Sequence, residues 1–142
     1  MGVVLTEETI GLIARFERLT GASSRDVVKD DENERYIFIV NPGEMGHAIG
    51  KKGTNVKKAS DAFGRQCEAV EYAEDPAQFL RNCFLPASVH ELQFSDYDGG
   101  VIAHVMIHAE ERGLAIGKGG KNIAKAKLLA LRLHDISDVF LE

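Results

Sequence analysis

Two short stretches hold the residues best suited to chemistry. They read Ile49-Gly50-Lys51-Lys52-Gly53-Thr54-Asn55-Val56 and Ile116-Gly117-Lys118-Gly119-Gly120-Lys121-Asn122-Ile123, both on the pattern Ile-Gly-x-x-Gly-x-x-[Val/Ile]. Gly50 and Gly117 can end a helix in a left-handed conformation. Gly53 and Gly120 have no Cβ, so another backbone can approach closely. A helix that starts at such a loop points unpaired N–H groups outward, and these attract anions. The lysines sharpen the reading. Lys51, Lys52, Lys57 and Lys58 surround the first loop, and Lys118, Lys121 and Lys125 the second. The helix dipole favours acids at a helix start, and a cation there costs a few tenths of a kcal/mol. Breaking that rule twice marks a functional site. Exposed amides and clustered lysines together form a clamp for a phosphate backbone. Ile49 with Val56, and Ile116 with Ile123, supply an apolar groove wall beside it.

Other chemistries fail on spacing. A P-loop needs a glycine five residues before Gly50 or Gly117, where the chain has Met45 and Arg112. The dinucleotide fingerprint needs a glycine where Asn122 stands. Nothing supports a mononucleotide site. His104 and His108 are four apart, but they fall on or beside a predicted strand with no third ligand close by. Cys67 and Cys83 form neither a disulfide framework nor a CxxC knuckle, which predicts two free, buried thiols in a reducing compartment. No HExxH, no GxSxG and no nucleophile–base pair is present. No enzyme activity, metal or cofactor is expected.

The elements that position the two loops repeat along with them. A shift of 67 residues pairs Glu44 with Glu111, Gly46 with Gly113, Ala48 with Ala115, Lys58 with Lys125, and Ala59 with Ala126. Identity this dense at one offset divides the 142 residues into two copies, 1–73 and 74–142. In the first, Thr6 caps a helix that carries Ile10, Ile13, Phe16 and Leu19 and stops at Gly21. Strands follow near 25–30 and 35–40 across the charged turn DDENE. The turn Asn41-Pro42-Gly43 then leads to a short helix near 44–49, the loop, a helix over 54–64 and a strand near 67–72. In the second, Asp75-Pro76 opens a helix with Phe79, Leu80, Cys83 and Phe84, which Leu85-Pro86 ends. Strands near 88–95 and 101–107 are joined by YDGG. A short helix at 109–116, the loop, a helix over 121–134 and a strand at 137–141 complete it. Both copies read α-β-β-α-α-β.

Composition fits an ordinary globular chain, with 44% hydrophobic and 27% charged residues. No run nears the roughly 18 apolar residues of a membrane helix, and no basic-then-apolar leader opens the chain. A cytoplasmic protein without a membrane partner is expected. The net charge of −5 argues by itself against nucleic acid, but its distribution reverses that. Residues 50–60 and 117–127 each hold four lysines and no acid, which leaves 9 basic against 22 acidic groups elsewhere. The local field decides what a site attracts.

An IGxxGxx[VI] element between two helices, behind two strands and before a third, resembles the KH domain in its type II arrangement. Two adjacent copies joined by a helical segment such as FLRNCFLPA resemble the paired KH domains of the NusA family, in its short archaeal form. The resemblance implies an α+β fold of two tandem type II KH domains, each a three-stranded sheet with helices packed on one face. It implies a single-stranded RNA partner, held by loops that clamp about four nucleotides of backbone each. The clamps would be 50–53 and 117–120. Lys51, Lys52 and Lys118 would touch phosphates, and Asn55 and Asn122 sugar or base edges. Bases would lie against Ile49, Val56 and Ile39, or Ile116, Ile123 and Ile107. Gly119 stands where the first loop has Lys52, and Lys121 restores the charge. The family also implies a monomeric transcription termination or antitermination factor that works with RNA polymerase or other transcription factors. Two alternatives remain open at this point. One is a KH protein of ribosome assembly; the other is an acidic docking module of the transcription machinery with weak RNA affinity.

Overall fold

The computed structural model describes residues Val3–Glu142. The chain divides into two compact units, Val3–Tyr72 and Ala73–Glu142. In the first, α1 (Glu7–Thr20) is followed by β1 (Ser24–Asp30), β2 (Arg35–Val40), α2 (Met45–Ile49), α3 (Thr54–Phe63) and β3 (Gln66–Glu71). In the second, α4 (Pro76–Phe84) precedes β4 (Val89–Tyr97), β5 (Gly100–Ile107), α5 (Arg112–Ile116), α6 (Lys121–His134) and β6 (Ile136–Leu141). Each unit is α+β, with a three-stranded sheet ordered β1-β2-β3 or β4-β5-β6. In both, the first pair of strands is antiparallel and the second parallel. A parallel pair needs a long crossover. Here the crossover is α2–α3 or α5–α6, and each candidate loop sits within it.

Local chemistry sets the ends of these elements. Thr6 and Thr9 exchange hydrogen bonds at the start of α1, and Gly21 closes it at φ 78°. Asp75 accepts from the Gln78 N–H to cap α4, with Pro76 at its first position. The 97–100 segment departs from its expectation. Asp98 and Gly99 form a two-residue turn at φ 49° and 81°, so Tyr97 and Gly100 are already paired as strand. Both φ values are positive, as a tight hairpin of right-handed twist requires.

Packing follows the apolar faces. In the first unit Ile13, Phe16, Val27, Phe38, Ala48, Ala59 and Cys67 form one buried cluster, with Phe16 stacked on Phe38. Each buried phenylalanine contributes about 1.5–3 kcal/mol by leaving water. In the second unit Phe79, Leu80, Phe84, Ala103, Val105, Leu129 and Val139 are buried. Both cysteines are free and buried. Burial pushes the Cys67 thiol up to about 11 and Cys83 to about 12, so both stay protonated and unreactive at neutral pH.

The DDENE turn is anchored by a buried ion pair. Arg35 is 2% exposed, with Nε 2.8 Å from Asp30 and Nη1 3.1 Å from Glu68. Burial alone would raise the Asp30 carboxyl. Hydrogen bonds from Asn33 and Arg35, with the Arg35 charge, outweigh burial and hold it below the usual carboxylate value. A depressed native value adds stability above the unfolded pKa, about 4, and that stability is lost as pH falls through the native value. The melting temperature is therefore expected to drop on acidification below about pH 4, and Asp30→Asn to make that drop shallower. Thermal melts of both proteins from pH 2 to 7 check this; parallel curves would remove Asp30 from the account.

Candidate functional site

The two loops have one backbone design. After α2 the chain turns at Gly50 (φ 76°, ψ 174°), passes through a tight hydrogen-bonded turn over Lys51–Gly53, and enters α3. After α5 it turns at Gly117 (φ 80°, ψ 166°) and repeats the turn over Lys118–Gly120 into α6. The Gly53 N–H donates to the Gly50 carbonyl at 3.2 Å, and the Gly120 N–H to Gly117 at 3.0 Å. No side chain caps α3 or α6, and neither helix has an acid in its first turn. The helix starts therefore present positive potential to solvent.

The glycines exchange the roles expected of them. Gly50 and Gly117 do not adopt the left-handed helical form. Their positive φ with ψ near 180° is a region only glycine occupies readily. They also make the close approach. A Cβ on Gly50 would lie 2.8 Å from the Asn55 nitrogen and 2.7 Å from its Cγ; one on Gly117 would lie 2.7 Å from both N and Cβ of Asn122. Gly53 and Gly120 are the left-handed residues, at φ 75° and 77°. A Cβ at either would meet nothing within 4 Å. The open space lies at the second glycine of each loop, where an incoming backbone has room.

Asn55 and Asn122 turn inward. Asn55 Nδ2 donates to the His47 carbonyl at 2.8 Å and to that of Thr20 at 3.3 Å. Asn122 Nδ2 donates to the carbonyls of Ala115 at 3.1 Å and Phe84 at 3.2 Å. Each side chain thus ties the helix that follows its loop to the two helices before it. That engages each amide nitrogen within the fold, a bracing role that spacing did not announce.

The lysines divide unequally. Lys51, Lys52, Lys57 and Lys58 are exposed, and among the described residues no carboxylate lies within ion-pair distance of any of them. Lys118 and Lys121 are exposed beside the second loop. Lys125 departs from its expected role: it is 8% exposed and lies on the buried face of α6. Lys127 is 3.5 Å from Asp138. The apolar wall narrows as well. Ile49, Val56, Ile116 and Ile123 are half-buried, whereas Ile39 and Ile107 are 0% and 7% exposed and offer no surface to a base.

Lys52 sits at φ 57°, ψ 31°, and its counterpart Gly119 at φ 64°, ψ 20°. A side chain in the left-handed region is strained by about 1–2 kcal/mol. The first loop tolerates this and gains a charge at that position; the second relaxes it with glycine and carries no charge there. Lys52→Gly is expected to stabilise the first unit by about 1 kcal/mol, less the entropy glycine returns to the unfolded chain. Urea unfolding checks the sign, and a destabilised variant would contradict the geometry.

Comparison with known proteins agrees with this architecture. A family model described as a KH domain matches residues 13–82. The "Probable transcription termination protein NusA" of Halococcus morrhuae is 36% identical over 98% of this chain and 98% of its own length. The protein of the same description from Methanococcus vannielii is 37% identical over 98% of this chain and 79% of its own. A solved structure described as "Crystal structure of APE1850" superposes with a TM-score of 0.89 at 32% identity, over 97% of this chain and 100% of that one. Fold and loop together define a KH-domain protein. Within that class, the near full-length similarity means that the chain belongs to the archaeal NusA-like family. Among the described residues, no helix is long and apolar enough to cross a membrane.

Proposed function

We propose that the chain is a tandem pair of type II KH domains, 1–73 and 74–142, that binds single-stranded RNA by clamping its backbone at 50–53 and 117–120. The second copy is read as a KH domain because it repeats the element order, the sheet pairing and the loop backbone of the first. One observation carries the RNA reading. Each loop joins an uncapped helix start, exposed lysines and open space at its second glycine. A phosphate would meet N–H donors and ammonium groups there without displacing any protein atom. The half-buried Ile49 and Val56, and Ile116 and Ile123, offer a wall to the attached bases. The names of the relatives extend the reading to a NusA-like transcription termination or antitermination factor. It would act as a monomer on nascent transcript, beside RNA polymerase or other transcription factors, and without catalysis.

The test is binding to short single-stranded RNAs across a salt series. On a single strand the logarithm of affinity falls by about 0.7 per neutralised phosphate for each decade of salt. With about four phosphates held, the slope is expected near −3. A variant with Lys51, Lys52, Lys118 and Gly119 all changed to Asp is expected to melt normally and bind no RNA. Asp tolerates the left-handed region at 119. Binding that is independent of salt, or retained by the folded variant, would overturn the clamp.

A further inference from the structure

The far end of the second unit from its loop carries a different kind of surface. Asp98-Gly99 closes the β4–β5 hairpin tightly, and pairing runs out to Tyr97 with Gly100. The third strand joins only from Val101, opposite Ile136. One rung, Tyr97 with Gly100, lies beyond this first pair, and Ser137 of β6 packs against Gly100. A solvent-facing hairpin tip usually carries polar residues. Here Phe94 is 41% and Tyr97 69% exposed.

Beside Phe94 lies a groove of about 180 Å³, lined by Pro76, Phe94, Val101, His134 and Ile136. Its walls are fixed in place. Pro76 opens the capped α4, and His134 hydrogen-bonds the Ala73 carbonyl at 2.8 Å with its ring against Phe79. A preformed apolar groove binds without the cost of ordering its walls.

The charged residues that flank the groove on β4, its turn and the start of α4 are acidic, while Arg132 and His134 are the basic groups in the last turn of α6. Asp75 precedes Pro76, Asp96 pairs with Val101 across the hairpin, and Asp98 forms the turn; all three are exposed. The two strands and their turn, residues 89–107, contain no Lys or Arg. Phosphate is repelled by such a rim, whereas a cationic peptide is drawn to it. An exposed aromatic anchor, Phe94, beside a mainly acidic rim matches the anatomy of a protein–protein interface.

We infer that this groove docks a basic segment of a partner protein that carries an apolar anchor residue. The site lies at the C-terminal end of α6, while the 117–120 loop lies at its start, about 20 Å away along a 14-residue helix. RNA and the partner segment can therefore be held together, and the inference stands independently of the clamp reading.

The test uses the full chain, isotope-labelled, and three probes: a 12-residue Lys/Leu peptide, its Glu/Leu counterpart and an oligouridine. The Lys/Leu peptide is expected to shift the amide resonances of Phe94, Val101, His134 and Ile136. Phe94→Ala with Asp96→Lys is expected to weaken that binding at least about tenfold and leave oligouridine binding unchanged. Asp96→Lys alone, a change at an exposed position opposite Val101, serves as the second variant should the first melt early. The inference is overturned if the Lys/Leu peptide shifts only other regions, such as the acidic 30–34 turn. It is equally overturned if the Glu/Leu peptide binds as well, or if oligouridine moves the Phe94 group, which would make the groove a base subsite.

Discussion

Alanine at Gly50 is expected to destabilise the first unit by about 3 kcal/mol or more, while alanine at Gly53, three residues on, costs about 1. The two positions look alike in sequence and both have φ near 75°. They differ in ψ and in what surrounds them. At Gly50 ψ is 174°, and the added Cβ would lie 2.8 Å from the Asn55 backbone nitrogen and 2.9 Å from its Cβ. Neither atom can give way. The nitrogen belongs to the first turn of α3, and the Asn55 amide is tied to the carbonyls of His47 and Thr20. Relief would require α3 to move away from the ends of α1 and α2. At Gly53 the backbone is in the ordinary left-handed well, the Cβ enters open space, and part of the strain is offset by lower entropy in the unfolded chain. Urea unfolding followed through resonances of the first unit separates the two. RNA binding should reverse the ranking of harm per kcal/mol, since a methyl at Gly53 occupies the space left for the incoming backbone. Equal stability losses at the two glycines would show that the close approach at Gly50 is not what shapes the loop.

The asparagines explain why the loop survives so much positive φ. A segment with Gly50, Lys52 and Gly53 all at φ above 50° has little intrinsic preference for one shape. Asn55 fixes it from behind by two hydrogen bonds to helix ends, and Asn122 does the same in the second copy. Preorganisation of this kind reduces the ordering cost at the moment of binding. A clamp made of backbone donors needs such a brace more than one made of long side chains.

Much of this was legible in the sequence, and the remainder has physical reasons for being hidden. Caps are local, so Thr6, Gly21, Asp75 and Pro76 announce their helices. The offset of 67 exposes the repeat because matched loops carry the same unusual residues. Side-chain direction is not local. Spacing places Asn55 two residues past Gly53, but whether its amide meets a ligand or a carbonyl depends on the ends of α1 and α2, up to 35 residues earlier in the chain. The same limit applies to Lys125. Its position matches Lys58, yet Lys58 is exposed and Lys125 is buried on a helix four residues longer. Residue type also misleads at Lys52, since nothing about lysine announces a left-handed backbone. At the 97–100 hairpin the Asp-Gly pair did carry the signal for a two-residue turn; reading Tyr97 and Gly100 as part of the turn hid how far the strands project.

Removing Lys51 and Lys52 together, each to alanine, is expected to weaken single-stranded RNA binding about 25-fold at 0.1 M salt, against about fivefold for Lys118→Ala. The magnitudes follow from counterion release. Each phosphate left without its lysine lowers the salt slope by about 0.7, which at 0.1 M is about 0.7 of a decade in affinity. Two such phosphates at the first loop give about 1.4 decades, and one at the second gives about 0.7. The asymmetry comes from geometry rather than from lysine count, since each window holds four. In the first, all four are exposed without a carboxylate partner among the described residues. In the second, Lys125 is buried and Lys127 faces Asp138, so the loop offers only Lys118 and Lys121 and has glycine where the first has Lys52. The first loop should thus hold the strand and the second follow it. Because the effect is one of released ions, the affinities of wild type and variant should converge as salt approaches about 1 M. A loss that stays constant across the salt range would assign these lysines a structural or base-reading role instead. A larger loss from Lys118→Ala than from the first-loop pair would show that exposure does not rank the two clamps.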